Sequence, residues 1–422
     1  MIGNGAQVFM AEIKDFNRNH FLLKGEDSKK QKEIIDKEQK SMDHMLARHR
    51  HVKIYTALII LAFLAVSALI LYVNWKNKVY IDYEVVQQTE WTKSADSKCM
   101  NLAGALFTYS NDGMSCTNTK GKVIWNQTYE MQSPMIRTCK KTVAVGDYNG
   151  RNIYVANTQN ILGMIETTMP IRDFCVSENG IVAVVLDDST VTAIHLYSST
   201  GEAGKPLASF KTTMSQSGYP IAIDISDDGT QVAVSYIKAD NGKVSSSIGF
   251  YNFSAVGQNY TDNLVSGYGY SDAVVPMIHF MEDDTVFAVA DNRVMFFKGR
   301  QKPESISDTL ISEEIQSVFY DENHVGLVFF NSTGETTYHI EVYDTNAKKT
   351  NEINFSMEYT DILFDTASII IRNDNECIIY DWDNRLKFEG TIMDRMLCLL
   401  PMGNISRYTI VTESAIQLIE LQ

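Results

Sequence analysis

A short apolar run returns in register along most of this chain, and that return constrains the fold more than any other feature. The run reads Val143-Ala144-Val145, Val182-Ala183-Val184, Val232-Ala233-Val234 and Phe287-Ala288-Val289. A polar turn precedes three copies at a matching offset: Ser177-Glu178-Asn179-Gly180, Ser226-Asp227-Asp228-Gly229 and Met281-Glu282-Asp283-Asp284. Tyr320-Asp321-Glu322-Asn323 before Val325-Gly326-Leu327-Val328 is a looser copy. Val, Ile and Phe runs bounded by Asn, Asp, Gly and Ser read as strands, and each turn joins two of them. Extending the alignment outward gives eight first strands, starting near Cys99, Met135, Ile171, Ile221, Met277, Ile315, Tyr359 and Met396. Their spacings are 36, 36, 50, 56, 38, 44 and 37 residues. A period near 40 with four short strands per unit indicates an all-β, eight-bladed β-propeller; seven blades is the alternative if one strand assignment fails. A β-sandwich has no such self-similarity at fixed period.

The helical signal is confined to the start of the chain. Residues 54–75, IYTALIILAFLAVSALILYVNW, contain no charge, and 22 residues at ~1.5 Å each span the ~30 Å hydrocarbon layer of a bilayer. The run is too long for a signal-peptide apolar core and begins too far from the N-terminus. It is therefore expected to be a transmembrane helix in contact with the lipid bilayer. Arg48, Arg50 and Lys53 precede it, whereas Lys76 and Lys78 are soon followed by Asp82 and Glu84, so residues 1–53 should be cytoplasmic. Residues 1–53 carry a net charge of +3, leaving -18 on the remainder of a chain whose total is -15. Residues 26–53 lack Pro and are rich in helix formers, which predicts a juxtamembrane helix continuous with the span. The expected layout is a cytoplasmic segment 1–53, a transmembrane helix 54–75 and an extracytoplasmic propeller 80–422.

The last unit ends one strand short, with strands near Met396, Tyr408 and Ala415 only. The run at 81–86, Ile-Asp-Tyr-Glu-Val-Val, has no repeat of its own and is expected to supply the missing outer strand, closing the ring and removing an open edge. That closure should hold the disc close to the membrane.

Asn118-Thr119-Lys120-Gly121-Lys122-Val123-Ile124-Trp125 resembles the strand, Gly turn and Trp-bearing strand of quinoprotein-like propeller repeats, and the Ser-x-Asp-Gly turns resemble those of WD40-like propellers. With its single N-terminal span, the layout resembles a family of membrane-anchored propeller proteins of Gram-positive, Clostridia-type bacteria, with quinoprotein-like and WD40-like repeats. The resemblance implies a fold and a location at the plasma membrane, not an activity.

The chemistry read from the residues is sparse. Four Trp (75, 91, 125 and 382) and no adjacent Cys pair exclude a quinone-dependent dehydrogenase, and no cofactor is expected. His195, His279, His324 and His339 lack metal-ligand spacing, so no metal is expected either. Acidic balance excludes nucleic acid as a partner, because such binding rests on phosphate neutralisation. Cys139, Cys175 and Cys398 share one position of the repeat and Cys99 nearly does, while Asp224 and His279 occupy it in units four and five. The favoured reading is that these cysteines are small buried residues of a crowded first strand; the alternative gathers all six side chains near the central channel as a thiol cluster, disulfide or metal site. Cys116 and Cys377 fall in third strands. Unit four is stretched by Lys238–Val244 and by Gly257–Asp272. The second stretch, with Tyr260, Gly267, Tyr268, Gly269 and Tyr270, reads as a binding loop, since Tyr supplies rigid contact area and Gly permits close approach. The segment Thr212–Pro220 is a second candidate.

The weight therefore falls on a non-catalytic scaffold or binding module for an envelope protein or wall glycan. The alternative is an extracytoplasmic enzyme acting on carbohydrate in the propeller channel.

Overall fold

The computed structural model describes residues 28–94, 96–188, 191–202, 204–212, 217–240, 242–282, 284–331 and 334–422. It divides into a helical unit ending at Asn77 and a β unit over Lys78–Gln422. The helical unit is one uninterrupted helix, α1 (Ser28–Lys76). Its polar first half and apolar second half belong to the same 49 residues, which at ~1.5 Å per residue extend about 73 Å. Leu58, Ile60, Phe63, Leu64 and Leu71 are all exposed on it, so apolar side chains are exposed on several sides of the helix. By length and composition it can cross a membrane.

Among the described residues the β unit holds 32 strands. After β1 (Tyr83–Glu90) come β2 (Lys98–Leu102), β3 (Ala105–Tyr109), β4 (Gly113–Thr117) and β5 (Val123–Thr128), which form blade 1. Blade 2 is β6 (Pro134–Cys139), β7 (Thr142–Asp147), β8 (Asn152–Asn157) and β9 (Ile161–Glu166). Blade 3 is β10 (Ile171–Val176), β11 (Ile181–Asp188), β12 (Val191–Ser198) and β13 (Ala208–Thr212). Blade 4 is β14 (Tyr219–Ile225), β15 (Gln231–Asp240), β16 (Lys243–Asn252) and β17 (Leu264–Tyr270). Blade 5 is β18 (Met277–Phe280), β19 (Thr285–Val289), β20 (Arg293–Lys298) and β21 (Glu304–Leu310). Blade 6 is β22 (Ile315–Tyr320), β23 (His324–Phe330), β24 (Tyr338–Asp344) and β25 (Lys349–Phe355). Blade 7 is β26 (Asp361–Phe364), β27 (Ser368–Arg372), β28 (Glu376–Asp381) and β29 (Leu386–Thr391). Blade 8 takes β30 (Cys398–Pro401), β31 (Arg407–Val411) and β32 (Ala415–Leu421) from the end of the chain and β1 from its start. The fold is an eight-bladed propeller.

Closure is made by backbone. β1 pairs antiparallel with β32 from Tyr83↔Leu421 to Glu90↔Ala415, with a bulge between Val85 and Gln87. Ile81 N–H donates to Gln422 O at 2.9 Å, and Gln422 N–H to Asp82 O at 2.9 Å. The strand thus begins two residues later than the apolar run 81–86 suggests and continues through Gln87-Gln88-Thr89-Glu90. On an outer strand exposed along its length, pairing and not burial sets the boundary. Around the ring the first strands stand side by side, β2 against β30, β6 against β10, β10 against β14 and β14 against β18.

The recurring apolar run is the second strand of each blade. Val143-Ala144-Val145 and Val232-Ala233-Val234 are fully buried because neighbouring strands flank them in the sheet and neighbouring blades cover both faces, which demands a continuous apolar run and not alternation. Among the described residues eight apolar clusters lie between blades, one example being Ile225, Val232 and Val234 of blade 4 with Ala183, Val185 and Ile194 of blade 3. The preceding turn has its own logic. Gly229 (φ +72°) donates its N–H to Ser226 O at 2.8 Å, and Asp228 Oδ1 accepts from Thr230 N–H at 3.0 Å. Gly180 (φ +80°) repeats this with Ser177 O at 3.1 Å, so only a residue tolerant of positive φ fits the fourth position.

Candidate functional site

The first strands line the propeller axis, and five consecutive blades contribute interacting polar side chains there. Arg137 on β6 pairs with Asp173 on β10, Nη2 to Oδ1 2.7 Å. Asp224 on β14 pairs with His279 on β18, Oδ2 to Nδ1 2.8 Å, and the same carboxylate oxygen accepts Phe280 N–H at 2.8 Å. The His279 ring lies 4.3 Å from that of Tyr320 on β22. Burial pushes the Asp173 carboxyl up against the lowering effect of Arg137, and burial with the nearby Asp224 charge raises the Tyr320 hydroxyl.

One end of this strand set is tied by Lys140, in the β6–β7 turn. Its Nζ reaches Asp227 of blade 4 at 2.8 Å and Glu282 of blade 5 at 2.6 Å, with Glu178 of blade 3 at 3.9 Å. Burial works to lower this ammonium, and the bonds to Asp227 and Glu282 outweigh it, leaving it above its ordinary range. Glu322 stands in the same acidic ring. Burial raises its carboxyl, Lys140 lowers it, and Glu282, Asp227 and Asp321 raise it further. Lys140 thus bridges carboxylates from turns that are remote in sequence and adjacent around the axis.

The six residues aligned by the repeat meet only in part. Asp224 and His279 form the pair above. Cys175 is buried, its thiol raised by burial and then by the Asp224 and Asp173 charges. The Cys139 thiol donates to Asp227 Oδ1 at 3.2 Å. Cys398 is buried, and Cys99 packs against the same apolar cluster between blades 8 and 1. All six cysteines are free, and among the described residues no three His, Cys, Asp or Glu side chains are placed to hold a metal. Arg137, Asp173, Tyr320 and Lys140 lie outside the six aligned positions and were not among the sequence candidates. The signal for Arg137 and Asp173 was present two positions before Cys139 and Cys175.

The loop over Gly257–Asp272 requires correction. Two short 3-10 turns, Gly257–Asn259 and Thr261–Asn263, lead into β17, so Gly267, Tyr268, Gly269 and Tyr270 form the outer strand of blade 4. Tyr268 donates its hydroxyl to Pro303 O at 3.0 Å and packs 4.8 Å from Phe297, while Tyr270 is buried beneath the Arg293 guanidinium. Only Tyr260 of the set is an exposed aromatic. Gly267 and Gly269 hide the alternation that would mark a strand, because the exposed positions carry no side chain. The stretch Lys238–Val244 is likewise a longer hairpin, with Lys238↔Ser245 and Asp240↔Lys243 in register. In Thr212–Pro220, residues 213–216 lie outside the described residues.

Comparison with solved structures gives the fold its relatives. Sqt1 of Chaetomium thermophilum is 12% identical over 80% of this chain and 98% of its own, with a TM-score of 0.52. BamB of Moraxella catarrhalis is 12% identical over 81% and 100%, TM-score 0.47, and the WD40 domain of Neurospora crassa Pan2 is 9% identical over 68% and 88%, TM-score 0.40. At these identities the likeness concerns fold alone. No curated protein matches the chain. One family model, described as a family of unknown function (DUF5711), matches residues 76–421, the whole of the propeller up to its penultimate residue, and the chain belongs to that family.

Proposed function

We propose that this protein is a non-catalytic binding module anchored in a bacterial plasma membrane. Residues 54–75 lie in the bilayer, residues 1–53 face the cytoplasm, and the propeller over 80–422 stands outside as a scaffold for an envelope protein or wall glycan. The observation that supports binding over catalysis is the pairing along the axis. Arg137, Asp173, Asp224 and His279 are each committed to a partner, and Lys140 to two, so these groups form a fixed frame. An Asp–His pair can also orient a catalytic base, but among the described residues the His279 ring hydrogen-bonds no hydroxyl or thiol, so the pair has no nucleophile to activate. The basic flank before residue 54 and the acidic balance after it support the orientation. The resemblance to single-span propellers of Clostridia-type bacteria supports the plasma membrane as the location.

The test is crosslinking of tagged full-length protein in its native membrane, followed by mass spectrometry of what co-purifies. The control replaces residues 1–75 with an unrelated N-terminal segment and apolar span of the same lengths. A partner recovered with both chains supports recruitment by the propeller; a partner lost on this replacement assigns recruitment to residues 1–75 and refutes the reading.

A further inference from the structure

We infer that the disc carries a carbohydrate-binding cleft between blades 1 and 2, on the face opposite Lys140. Pro134 and Met135 open β6 and Tyr148 follows β7, whereas Lys140 sits in the turn at the other end of those strands, so strand direction alone separates the two sites. The cleft holds about 360 Å³, inside the ~300–1,000 Å³ typical of small-molecule sites.

Its walls are braced before any ligand arrives. Asp147 Oδ1 accepts from Gln132 N–H at 3.1 Å and Ser133 N–H at 2.7 Å, and Tyr148 N–H donates to Ser133 O at 3.0 Å. Met131 N–H donates to Asn111 O at 2.8 Å, tying the β3–β4 turn of blade 1 to the connection that enters blade 2. Arg172 lies 5.7 Å over the Tyr148 ring and donates to its hydroxyl at 3.4 Å, which holds an aromatic ring that is still 44% exposed. The backbone of this wall and the Tyr148 ring therefore need little ordering on binding.

The lining is unspent, in contrast to the axis. Among the described residues the Asp96 carboxylate, the Lys98 ammonium and the Tyr109 and Ser133 hydroxyls line the cleft and have neither a hydrogen bond nor an ion pair. Asp96, Lys98 and Ser133 are exposed and Tyr109 half-buried, so water serves them until it is displaced, and a ligand that displaces it must donate and accept around its whole edge. A simple anion is opposed by Asp96 and a simple cation by Lys98; an apolar molecule leaves all four groups unsatisfied. A pyranose meets both charges with hydroxyls through charge-assisted bonds and offers a C–H face to the Tyr148 ring. The inference rests on the binding-module reading only in taking the disc as a ligand platform.

The experiment is saturation-transfer NMR on the full-length chain in detergent, with the N-acetylglucosamine disaccharide, maltose and cellobiose as probes and glycylglycine as a zwitterionic comparison. Transfer to the ring protons of at least one disaccharide is expected, with affinity reduced about fivefold or more in Tyr148→Ala and in Asp96→Asn and unchanged in Met393→Ala. Lys98→Met, on the same wall, is expected to weaken binding similarly and guards against one variant misfolding. Transfer to none of the disaccharides, transfer to glycylglycine alone, or transfer undiminished in all three cleft variants overturns the assignment. A captured protein partner without a saccharide signal refutes the cleft and leaves the scaffold reading standing.

Discussion

Replacing Lys140 with Met keeps the aliphatic stem and the positive φ of +50° while deleting the charge that bridges three blades. The two short contacts, at 2.8 and 2.6 Å, involve side chains that are 27% exposed for Lys140 and 38% for Asp227 and Glu282, so solvent screening is substantial. With exposed pairs contributing ~0.2–1 kcal/mol each, and these lying at the upper end, the loss is about 1–2 kcal/mol at low salt. The pH dependence has a definite sign. Lys140 titrates above its ordinary range, so its contribution is complete below the unfolded lysine value and constant between pH 5 and 8. Glu322 is already raised by burial and by Glu282, Asp227 and Asp321, and it loses its one lowering partner in the variant. A carboxyl raised in the folded state opposes folding above its pKa and relaxes as it protonates. The deficit of Lys140→Met should therefore be largest near neutral pH and shrink towards pH 5, and it should also shrink with added salt. Urea unfolding of wild type and variant at three pH values and two salt concentrations reads this directly. A variant as stable as wild type at pH 7.5 in low salt, or a deficit indifferent to both pH and salt, refutes the electrostatic tie.

Three further outcomes follow from the packing. Phe287→Ala removes a fully buried side chain at the interface of blades 5 and 6 and should cost ~3–5 kcal/mol in denaturant unfolding; a loss below about 1 kcal/mol contradicts that interface as core. Deleting residues 257–272 removes β17 and strips the outer edge from blade 4, so limited proteolysis should attack that blade, whereas a dispensable loop would leave the digest unchanged. Burial pushes the Cys116 thiol up to about 11 and the Cys377 and Cys398 thiols up to about 12, and the thiolate is the reactive form. At pH 7.5 iodoacetamide should spare these three in the native chain and modify them in urea, as mass spectrometry of the peptides will show.

Blade order was legible because a strand covered on both faces must be apolar at every position. Val143-Ala144-Val145 and its three copies announce this without help from alternation. Ring closure was legible by counting, since a unit ending at Leu421 lacked a fourth strand and the run after the helix had no repeat of its own. What sequence reading missed is held together by the ring. Lys140 meets Asp227 and Glu282 only because blades 2, 4 and 5 point turns at one axis, and nothing local to Lys140-Lys141 predicts that. The long hairpin of β15 and β16 looked like an insertion because its tip is exposed on both faces, although backbone pairing continues to Asp240↔Lys243. Cysteine register places these residues on first strands, where a small buried side chain suits a crowded position without further chemistry.

Met393 offers the most direct access to the proposed presentation of the propeller outside the membrane. Its side chain is 91% exposed between β29 and β30, while its N–H is held by the Tyr83 hydroxyl at 3.1 Å, so Met393→Cys places a thiol on a fixed backbone. Intact cells expressing the variant are treated with a membrane-impermeant maleimide, with the wild-type chain as the blank for Cys99 and Cys139. A propeller outside the membrane gives labelling above the blank in intact cells, equal to that after permeabilisation. Labelling that appears only after permeabilisation contradicts that placement and places the disc in the cytoplasm.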